Sequence, residues 1–172
     1  SFWQSHKDAP RVLTEVVKEF AQVVPGDHIL DLYGGVGLFT AALIDEVGSE
    51  GAIDLVEGSK SATADARRNF AEDSVVTVHT GDVAKILPRF SQANVIILDP
   101  PREGAGKEVI AECARLLPRT IVYVACDPAA LARDVSYLHE HGYALQQLRA
   151  FDLFPMTHHI ESVALLTLDK VS

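Results

Sequence analysis

The sequence predicts an α/β domain in which a doubly wound, mostly parallel sheet carries helices on both faces. Apolar runs of strand length, rich in Val and Ile, alternate with helix-period stretches from about residue 10 to residue 140. Short continuous runs of this kind are typical of parallel strands buried on both faces, and right-handed crossovers place helices on both sides. The last two strand-like runs break the rhythm, because only a few residues separate them. A link that short predicts an antiparallel pair.

The alternating region predicts five strands, at 28–33, 52–57, 75–80, 95–99 and 121–126. The helices are predicted at 9–23, 38–47, 59–72, 82–87, 106–117 and 128–140. The first of them ends before a Pro-Gly pair, which cannot continue a helix. Two further strands, at 143–154 and 159–168, are joined only by "PMTH". We expect the last strand to run antiparallel to the others and to insert beside the fifth strand.

Length and composition limit the chain to a few classes of protein. With 172 residues, 48% of them hydrophobic, it predicts one domain over 1–172. No apolar run approaches the roughly 18 residues of a membrane helix, and the first residues lack the pattern of a signal peptide. Two cysteines are too few for a disulfide framework, so the expected location is cytoplasmic and no membrane partner is expected. Oligomeric state is not readable from the sequence, and a monomer is the expectation.

Metal binding is not expected. Neither Cys113 nor Cys126 has a partner at zinc-ligand spacing, and the adjacent histidines of "THHIE" point to opposite faces of a strand. The net charge of −9 also argues against binding nucleic acid through general surface charge. A local basic patch could still exist, and the candidate cations are Lys7, Arg11, Arg102, Lys107 and Arg133.

A glycine turn follows the first predicted strand in "DLYGGVGLFT", residues 31–40. Gly35 and Gly37 would let the backbone approach a ligand closely, and Glu57 ends the next strand 20 residues after Gly37. An acid at that place accepts hydrogen bonds from ribose hydroxyls. The turn suits either a dinucleotide or S-adenosylmethionine, although Thr40 stands where a dinucleotide motif has its third glycine. A turn without any ligand is the alternative.

The fourth strand ends in "LDPPREGAG", residues 98–106. Two prolines stiffen the backbone and remove two donors, so Asp99 is presented rigidly at the carboxyl edge, where ligands bind in open α/β sheets. An acid-Pro-Pro turn there is typical of methyltransferases that act on nucleobases or amides. A plain turn with a solvated Asp99 is the alternative.

The fifth strand leads into "IVYVACDPAALARD", residues 121–134. Cys126 is either a small buried hydrophobe, as free cysteines commonly are, or a nucleophile at the end of a strand. A nucleophilic thiol needs a nearby cation or helix start to become a thiolate. Cys126 precedes a predicted helix that contains Arg133, so both sources of stabilisation are available.

Taken together, "FWQ" (2–4), "DLYGGVGLFT", "LDPPREGAG", "YVACDPAALARD" and "FPMTHHIESVALL" (154–166) resemble the RNA uracil-5-methyltransferase family, whose members make 5-methyluridine in tRNA and rRNA. The match spans nearly the whole chain in order. The resemblance implies a class I methyltransferase fold, Rossmann-like, with seven strands, S-adenosyl-L-methionine as cofactor and tRNA or rRNA as partner. The missing second cysteine in the "DPPREG" turn counts against the related cytosine-5-methyltransferases.

The resemblance also implies roles for individual residues. Cys126 falls on the family's nucleophile and Glu161 on its proton-abstracting base, although a Glu that opens an apolar strand can also be a solvated end. Arg133 is a possible support for the thiolate or the substrate, and Arg102 is a candidate for substrate binding. Phe154 is either a substrate-binding residue, as a stacking or apolar wall, or a core residue. The residues expected to bind the cofactor are Gln4, Tyr33, Gly35, Gly37, Glu57, Asp82 and Asp99.

The chain departs from the family pattern at three positions. Gly34 stands where a cysteine or serine is common, Leu38 where a polar residue is common, and Ala125 replaces the usual serine before the nucleophile. The RNA-binding TRAM-type β-barrel and the central domain that family members carry upstream of "FWQ" are absent from these 172 residues. Two other functions stay open at this point: a class I methyltransferase of another specificity, and a cofactor-binding scaffold for RNA or a partner.

Overall fold

The computed structural model describes residues 9–154 and 159–169, and residues 9, 10, 153, 154 and 159 by their backbone alone. Seven strands and six helices alternate in the order that the sequence predicts. The strands are β1 (His28–Leu32), β2 (Ala52–Glu57), β3 (Val76–Thr80), β4 (Val95–Leu98), β5 (Thr120–Ala125), β6 (Tyr143–Phe154) and β7 (His159–Leu168). The helices are α1 (Ala9–Ala21), α2 (Leu38–Val47), α3 (Lys60–Asn69), α4 (Val83–Ile86), α5 (Lys107–Arg115) and α6 (Pro128–Glu140), and α4 continues into a 3₁₀ turn at Leu87–Arg89.

All seven strands form one sheet in the order β3-β2-β1-β4-β5-β7-β6. The first five run parallel to one another, and β7 pairs antiparallel with β5 on one side and with β6 on the other. The predicted insertion of an antiparallel last strand beside the fifth is therefore confirmed. The strand order reverses between β1 and β4, which makes a crevice at their carboxyl ends.

Two apolar layers enclose the sheet, as expected for a doubly wound fold. One layer packs α1 and α2 against the sheet through residues such as Phe20 and Leu43, and α3 adds Phe70 nearby. The other packs α4, α5 and α6 through residues such as Ile110 and Leu138. Every residue of β4 and β5 is buried, which explains why these strands are hydrophobic at every position except Thr120. Among the described residues, no helix has the length and apolar character that spanning a membrane requires.

An ion pair between an exposed arginine and a buried aspartate closes the amino edge of the sheet. Arg119, just before β5, donates to both carboxylate oxygens of Asp27, just before β1, and to the carbonyl of Gln22 after α1. Asp27 is 4% exposed and also accepts from the backbone N–H of Val24. This edge is thus stabilised by hydrogen bonds between loops, whereas the opposite edge carries the polar side chains described next.

Candidate functional site

The carboxyl ends of five neighbouring strands bring the predicted chemical groups to one edge of the sheet. Glu57 ends β2, Asp99 follows β4 and Cys126 follows β5. Antiparallel β7 runs the other way, so its start reaches the same edge: Ser162 pairs with Ala125, which sets Glu161 opposite Cys126. The topology therefore joins a thiol and a carboxylate that are far apart in the chain.

Two cavities open at this edge and share Tyr33 and Asp99 in their walls. The first, of about 420 Å³, is also lined by Glu57, Asp82 and the Pro100-Pro101 pair. The second, of about 480 Å³, lies along the glycine turn and reaches Asn69 and Phe70. Together they form a cleft that crosses the point where the strand order reverses, which is where ligands bind in this class of sheet.

The glycine turn is held in a conformation that few residues adopt. Tyr33, Gly35 and Gly37 all have positive φ, of 59°, 58° and 99°. A side chain at Gly37 would collide with the ring of Phe70, so this position needs glycine for space as well as for backbone freedom. Left-handed Tyr33 is uncommon for a bulky residue, and such strain clusters at functional sites.

Glu57 ties the glycine turn to the second strand. One carboxylate oxygen accepts from the backbone N–H of Gly35 at 3.0 Å and the other accepts from the N–H of Ser59 at 2.7 Å. The carboxylate is therefore fixed at the rim of the cleft. Asp82, on the other side of the first cavity, accepts from the N–H of Ala84 and caps α4.

Asp31 lies beneath the turn and is 1% exposed. Its Oδ2 accepts from the backbone N–H of Thr40 at 3.2 Å and from the Thr40 hydroxyl at 2.7 Å, whereas Oδ1 has no hydrogen-bond partner among the described residues. Burial, with a smaller contribution from the charge of Glu57, raises the pKa of Asp31 to about 6. Thr40, which weakened the dinucleotide interpretation, here serves to hold this acid.

Acidic side chains dominate the electrostatics of the edge. Burial and then the charges of Glu161, Asp31 and Glu57 raise the pKa of Asp99 well above its ordinary 3.8. Burial also raises the pKa of Glu161 from 4.5 to about 7. Glu57, Asp82 and Asp99 line a cleft in which a positively charged ligand would be favoured.

The support of the Cys126 thiolate by Arg133 and by the helix start stays a prediction, and the surroundings of the thiol oppose it. Burial, followed by the charges of Glu161 and Asp99, raises the pKa of the Cys126 thiol, and a backbone hydrogen bond and then the charge of Arg102 oppose this rise. Arg133 is directed elsewhere, because it donates to the Glu103 carbonyl and to Asp134. The cation that acts on the thiol is therefore Arg102 in the turn after Asp99.

The structure places the other predicted residues as follows. Tyr33, Gly35, Gly37, Glu57, Asp82 and Asp99 all line the two cavities. Arg102 is exposed, and Cys113 is fully buried in α5, as a packing residue would be. Gln4 lies outside the described residues, and the Phe154 side chain is not described, so their predicted roles stay predictions.

Asp134, near the site, has no counterpart in the sequence-based interpretation. Asp134 is fully buried on α6 and accepts from the Tyr123 hydroxyl at 2.6 Å and from the N–H of Ala105 at 2.8 Å. The sequence signal that could have identified it is an aspartate on the buried side of a predicted helix, because a buried carboxylate needs hydrogen-bond partners. Its partners lie on a strand and a turn that the sequence does not connect to it.

Comparison with known proteins points to one group. Residues 84–169 match the family described as tRNA (uracil-5-)-methyltransferase, and residues 3–120 match the methyltransferase small domain. An uncharacterized RNA methyltransferase of Streptomyces avermitilis is 49% identical over 167 residues, which are 96% of this chain and 39% of that protein. One of Streptomyces coelicolor is 48% identical over 96% of this chain and 36% of its own length. The chain thus spans about two fifths of the length of these relatives.

A solved structure agrees with the sequence relatives. The tRNA (uracil-54, C5)-methyltransferase of Pyrococcus abyssi, in complex with S-adenosyl-L-homocysteine, superposes with a TM-score of 0.74 at 31% identity, over 89% of this chain and 37% of that one. A precorrin-6y C5,15-methyltransferase of Geobacter metallireducens superposes with a TM-score of 0.76 at 16% identity, over 91% of this chain and 87% of that one, a likeness of fold alone.

Proposed function

We propose a reaction for this chain from the premise that it belongs to the tRNA (uracil-5-)-methyltransferase family, an S-adenosylmethionine-dependent family. The reaction is transfer of a methyl group to carbon 5 of a uridine in RNA. The observation that carries the proposal is the pairing of β5 with β7, which sets Glu161 opposite Cys126 beside the cleft. A nucleophile and a base at one point are the minimum that this chemistry needs.

The residues of the cleft fit the cofactor. S-adenosylmethionine is a sulfonium cation with an ammonium group, a ribose and an adenine, and it supplies the methyl group that is transferred. Glu57 presents a fixed carboxylate where ribose hydroxyls can donate, and Asp31 Oδ1 is a buried acceptor without a protein partner in the described residues. Glu57, Asp82 and Asp99 line the first cavity, and Gly35 and Gly37 line the second. We infer that these residues, with Tyr33, hold the cofactor.

Cys126 is proposed as the nucleophile. Carbon 5 of uracil is a poor nucleophile, but addition of the Cys126 thiolate to carbon 6 moves the electrons of the carbon 5–carbon 6 double bond into an enolate. Carbon 5 then forms a bond to the transferred methyl group while the methyl–sulfur bond breaks. The thiolate is the attacking form, so the raised pKa of Cys126 limits how much of it exists before substrate binds.

Glu161 is proposed as the base that completes the reaction. It removes the proton from carbon 5, the carbon 5–carbon 6 double bond re-forms, and the carbon 6–sulfur bond breaks to return the thiolate. A base works best when its pKa lies near the operating pH, and burial places that of Glu161 at about 7. At neutral pH about half of the Glu161 side chains are therefore ionised and able to accept the proton.

The substrate class follows from the same chemistry. The uracil has to leave its stacked position to bring carbon 6 to Cys126, as for other enzymes that act on a base. We propose a uridine of tRNA or rRNA as the target, with the exposed cation Arg102 beside the cleft as a phosphate or base contact. The net charge of −9 means that such contacts must be local.

The test uses the intact protein with unmodified tRNA and, separately, unmodified rRNA, together with cofactor labelled in the methyl group. We expect label in 5-methyluridine with one of the two RNAs. Cys126→Ala should remove activity, whereas Cys113→Ala, at a buried cysteine of α5 away from the cleft, should retain it. Glu161→Gln should accumulate a covalent RNA adduct, because the methylated intermediate cannot lose its proton.

The outcomes separate the alternatives. Label in a ring nitrogen or an exocyclic amine, or activity that survives Cys126→Ala, would establish a methyltransferase of another specificity. Cofactor binding without transfer to either RNA would instead favour a scaffold. Wild type and Cys113→Ala should both complete the reaction without accumulating an adduct. If Glu161→Gln also accumulates none, Glu161 is not the base.

A further inference from the structure

A buried carboxylate fastens the turn after Asp99 to the helix that follows Cys126. Asp134, on α6, is 0% exposed. Its Oδ2 accepts from Ala105 N–H at 2.8 Å and from the Tyr123 hydroxyl at 2.6 Å, and its Oδ1 accepts from Gly106 N–H at 3.3 Å. A buried charge without such partners would cost several kcal/mol, so these bonds have to be kept. The loop and the helix therefore hold a single relative position.

The Pro101–Gly104 turn packs tightly against α6. Gly104 closes the turn by donating to the Pro101 carbonyl at 2.8 Å, and it is buried against Asp134 and Ala130 with φ of 82°. Arg133 adds a further bond across the same contact, to the Glu103 carbonyl at 2.6 Å. Backbone, buried charge and surface cation thus all hold the Pro101–Gly104 turn on α6.

Arg102 lies at the tip of that turn. It is exposed, and within residues 9–154 and 159–169 its guanidinium has no hydrogen bond or ion pair of its own. The backbone of the turn therefore sets the point from which its side chain extends. Its charge acts on Cys126 in the direction that favours the thiolate.

The thiol of Cys126 is otherwise surrounded by acids. Glu161 faces it from β7 and Asp99 from the end of β4. Asp127 follows it directly and caps α6 through the N–H of Ala130 at 2.9 Å. Arg102 is the only cation whose charge acts noticeably on the thiol among the described residues, so displacing it would leave the negative charges unopposed.

We propose that Asp134 is a positioning residue: by holding the Pro101–Gly104 turn on α6, it keeps the backbone of Arg102 at the sheet edge that carries Cys126. The inference rests on the proposed role of Cys126 as nucleophile. Asp134 touches neither substrate nor cofactor in this proposal and acts only through Arg102.

The test measures the alkylation rate of Cys126 by iodoacetamide against pH in the intact protein, read from the peptide that contains Cys126. Arg102→Gln should move the pH profile upward and lower the rate at pH 7 about fivefold, the effect of about 1 kcal/mol between charges separated by water. Asp134→Asn should move the profile in the same direction, because an amide cannot accept from Tyr123, Ala105 and Gly106 together. Arg102→Lys should keep the wild-type profile.

The decisive variant combines the two changes. If Asp134 acts through Arg102, the double variant Arg102→Gln/Asp134→Asn shifts the profile no further than Arg102→Gln alone. Additive shifts, or an unchanged profile in Asp134→Asn, would overturn the proposal. Because the assay needs neither RNA nor cofactor, its result is independent of which atom the enzyme methylates.

A matched control separates positioning from stability. Asp27→Asn removes another buried carboxylate that accepts from a backbone N–H and an arginine, but at the opposite edge of the sheet. It should lower the unfolding temperature and leave the Cys126 profile where it is. If Asp134→Asn fails to fold, Tyr123→Phe removes one bond to Asp134 and should give a smaller shift of the same sign; no shift in that folded variant would also overturn the proposal.

Discussion

Replacing Glu161, the proposed base, by glutamine should make the protein more stable above pH 7 and leave its stability unchanged below pH 4.5. Glu161 is only 8% exposed, and burial raises its pKa from 4.5 to about 7. Between these two values the folded chain binds more protons than the unfolded chain, so its stability falls as pH rises through this window. The charged Glu161 therefore destabilises the fold fully above pH 7 and not at all below pH 4.5.

The magnitude follows from the same two values. A rise in pKa from 4.5 to about 7 corresponds to about 3 kcal/mol of unfolding free energy. Glutamine has the same shape without the ionisation. Glu161→Gln should therefore be about 3 kcal/mol more stable than wild type at pH 8 and about equal to it at pH 4.

The assay is urea unfolding at pH 4, 6 and 8. It is monitored by hydrogen exchange of peptides from β5 and β7, so that the measured free energy of unfolding reports on this part of the protein. Glu72→Gln, at an exposed position after α3, is the control and should leave the unfolding free energy unchanged at each pH. A difference between wild type and Glu161→Gln that does not depend on pH would refute the reasoning, because it would show that Glu161 is not a buried acid.

Two further results are expected. Gly37→Ala should abolish cofactor binding measured by calorimetry, because the new methyl group collides with Phe70, whereas Gly26→Ala, with similar φ and open space, should cost about 1 kcal/mol of stability and leave binding unchanged. Arg119→Met should lower the free energy of unfolding, measured in urea at pH 7, by about 2 kcal/mol. Burial raises the pKa of Asp27, but the hydrogen bonds from Arg119 and Val24 outweigh burial and lower the pKa overall. The difference between wild type and Arg119→Met should therefore shrink as pH falls below 3.8. Equal binding by the two glycine variants, or a constant difference for Arg119→Met down to pH 2, would contradict these expectations.

Much of the fold could be predicted because its signals are local. Apolar runs with turn residues at their ends marked all seven strands, and the short link before β7 determined its direction. The ends of helices were less accurate: α5 is shorter than predicted, because Gly106 and Leu117 have positive φ and cannot be helical. Backbone conformation at such single residues depends on what packs beside them.

The site was predicted in its position and not in its electrostatics. The strand order alone brings Cys126, Asp99 and Glu161 to one edge of the sheet. That order could be predicted from the alternation of strands and helices along the chain and from the short link before β7. The acidity of the Cys126 thiol, however, depends on burial and on which side chains face it. The helix start and Arg133 were visible in the sequence, but the direction of Arg133 is set by Asp134 and the Glu103 carbonyl, which only packing reveals.

The insertion of β7 between β5 and β6 has a consequence for how the protein is made. As the chain leaves the ribosome, β5 emerges with every residue apolar enough to be buried, and its outer edge has to wait for β7, which begins 34 residues after β5 ends. Until then that edge is unpaired and open to pairing with other chains. The same delay separates Cys126 from Glu161, so the two residues cannot meet in a nascent chain until the final strand is in place. Completion of the sheet and the meeting of Cys126 with Glu161 are one folding event.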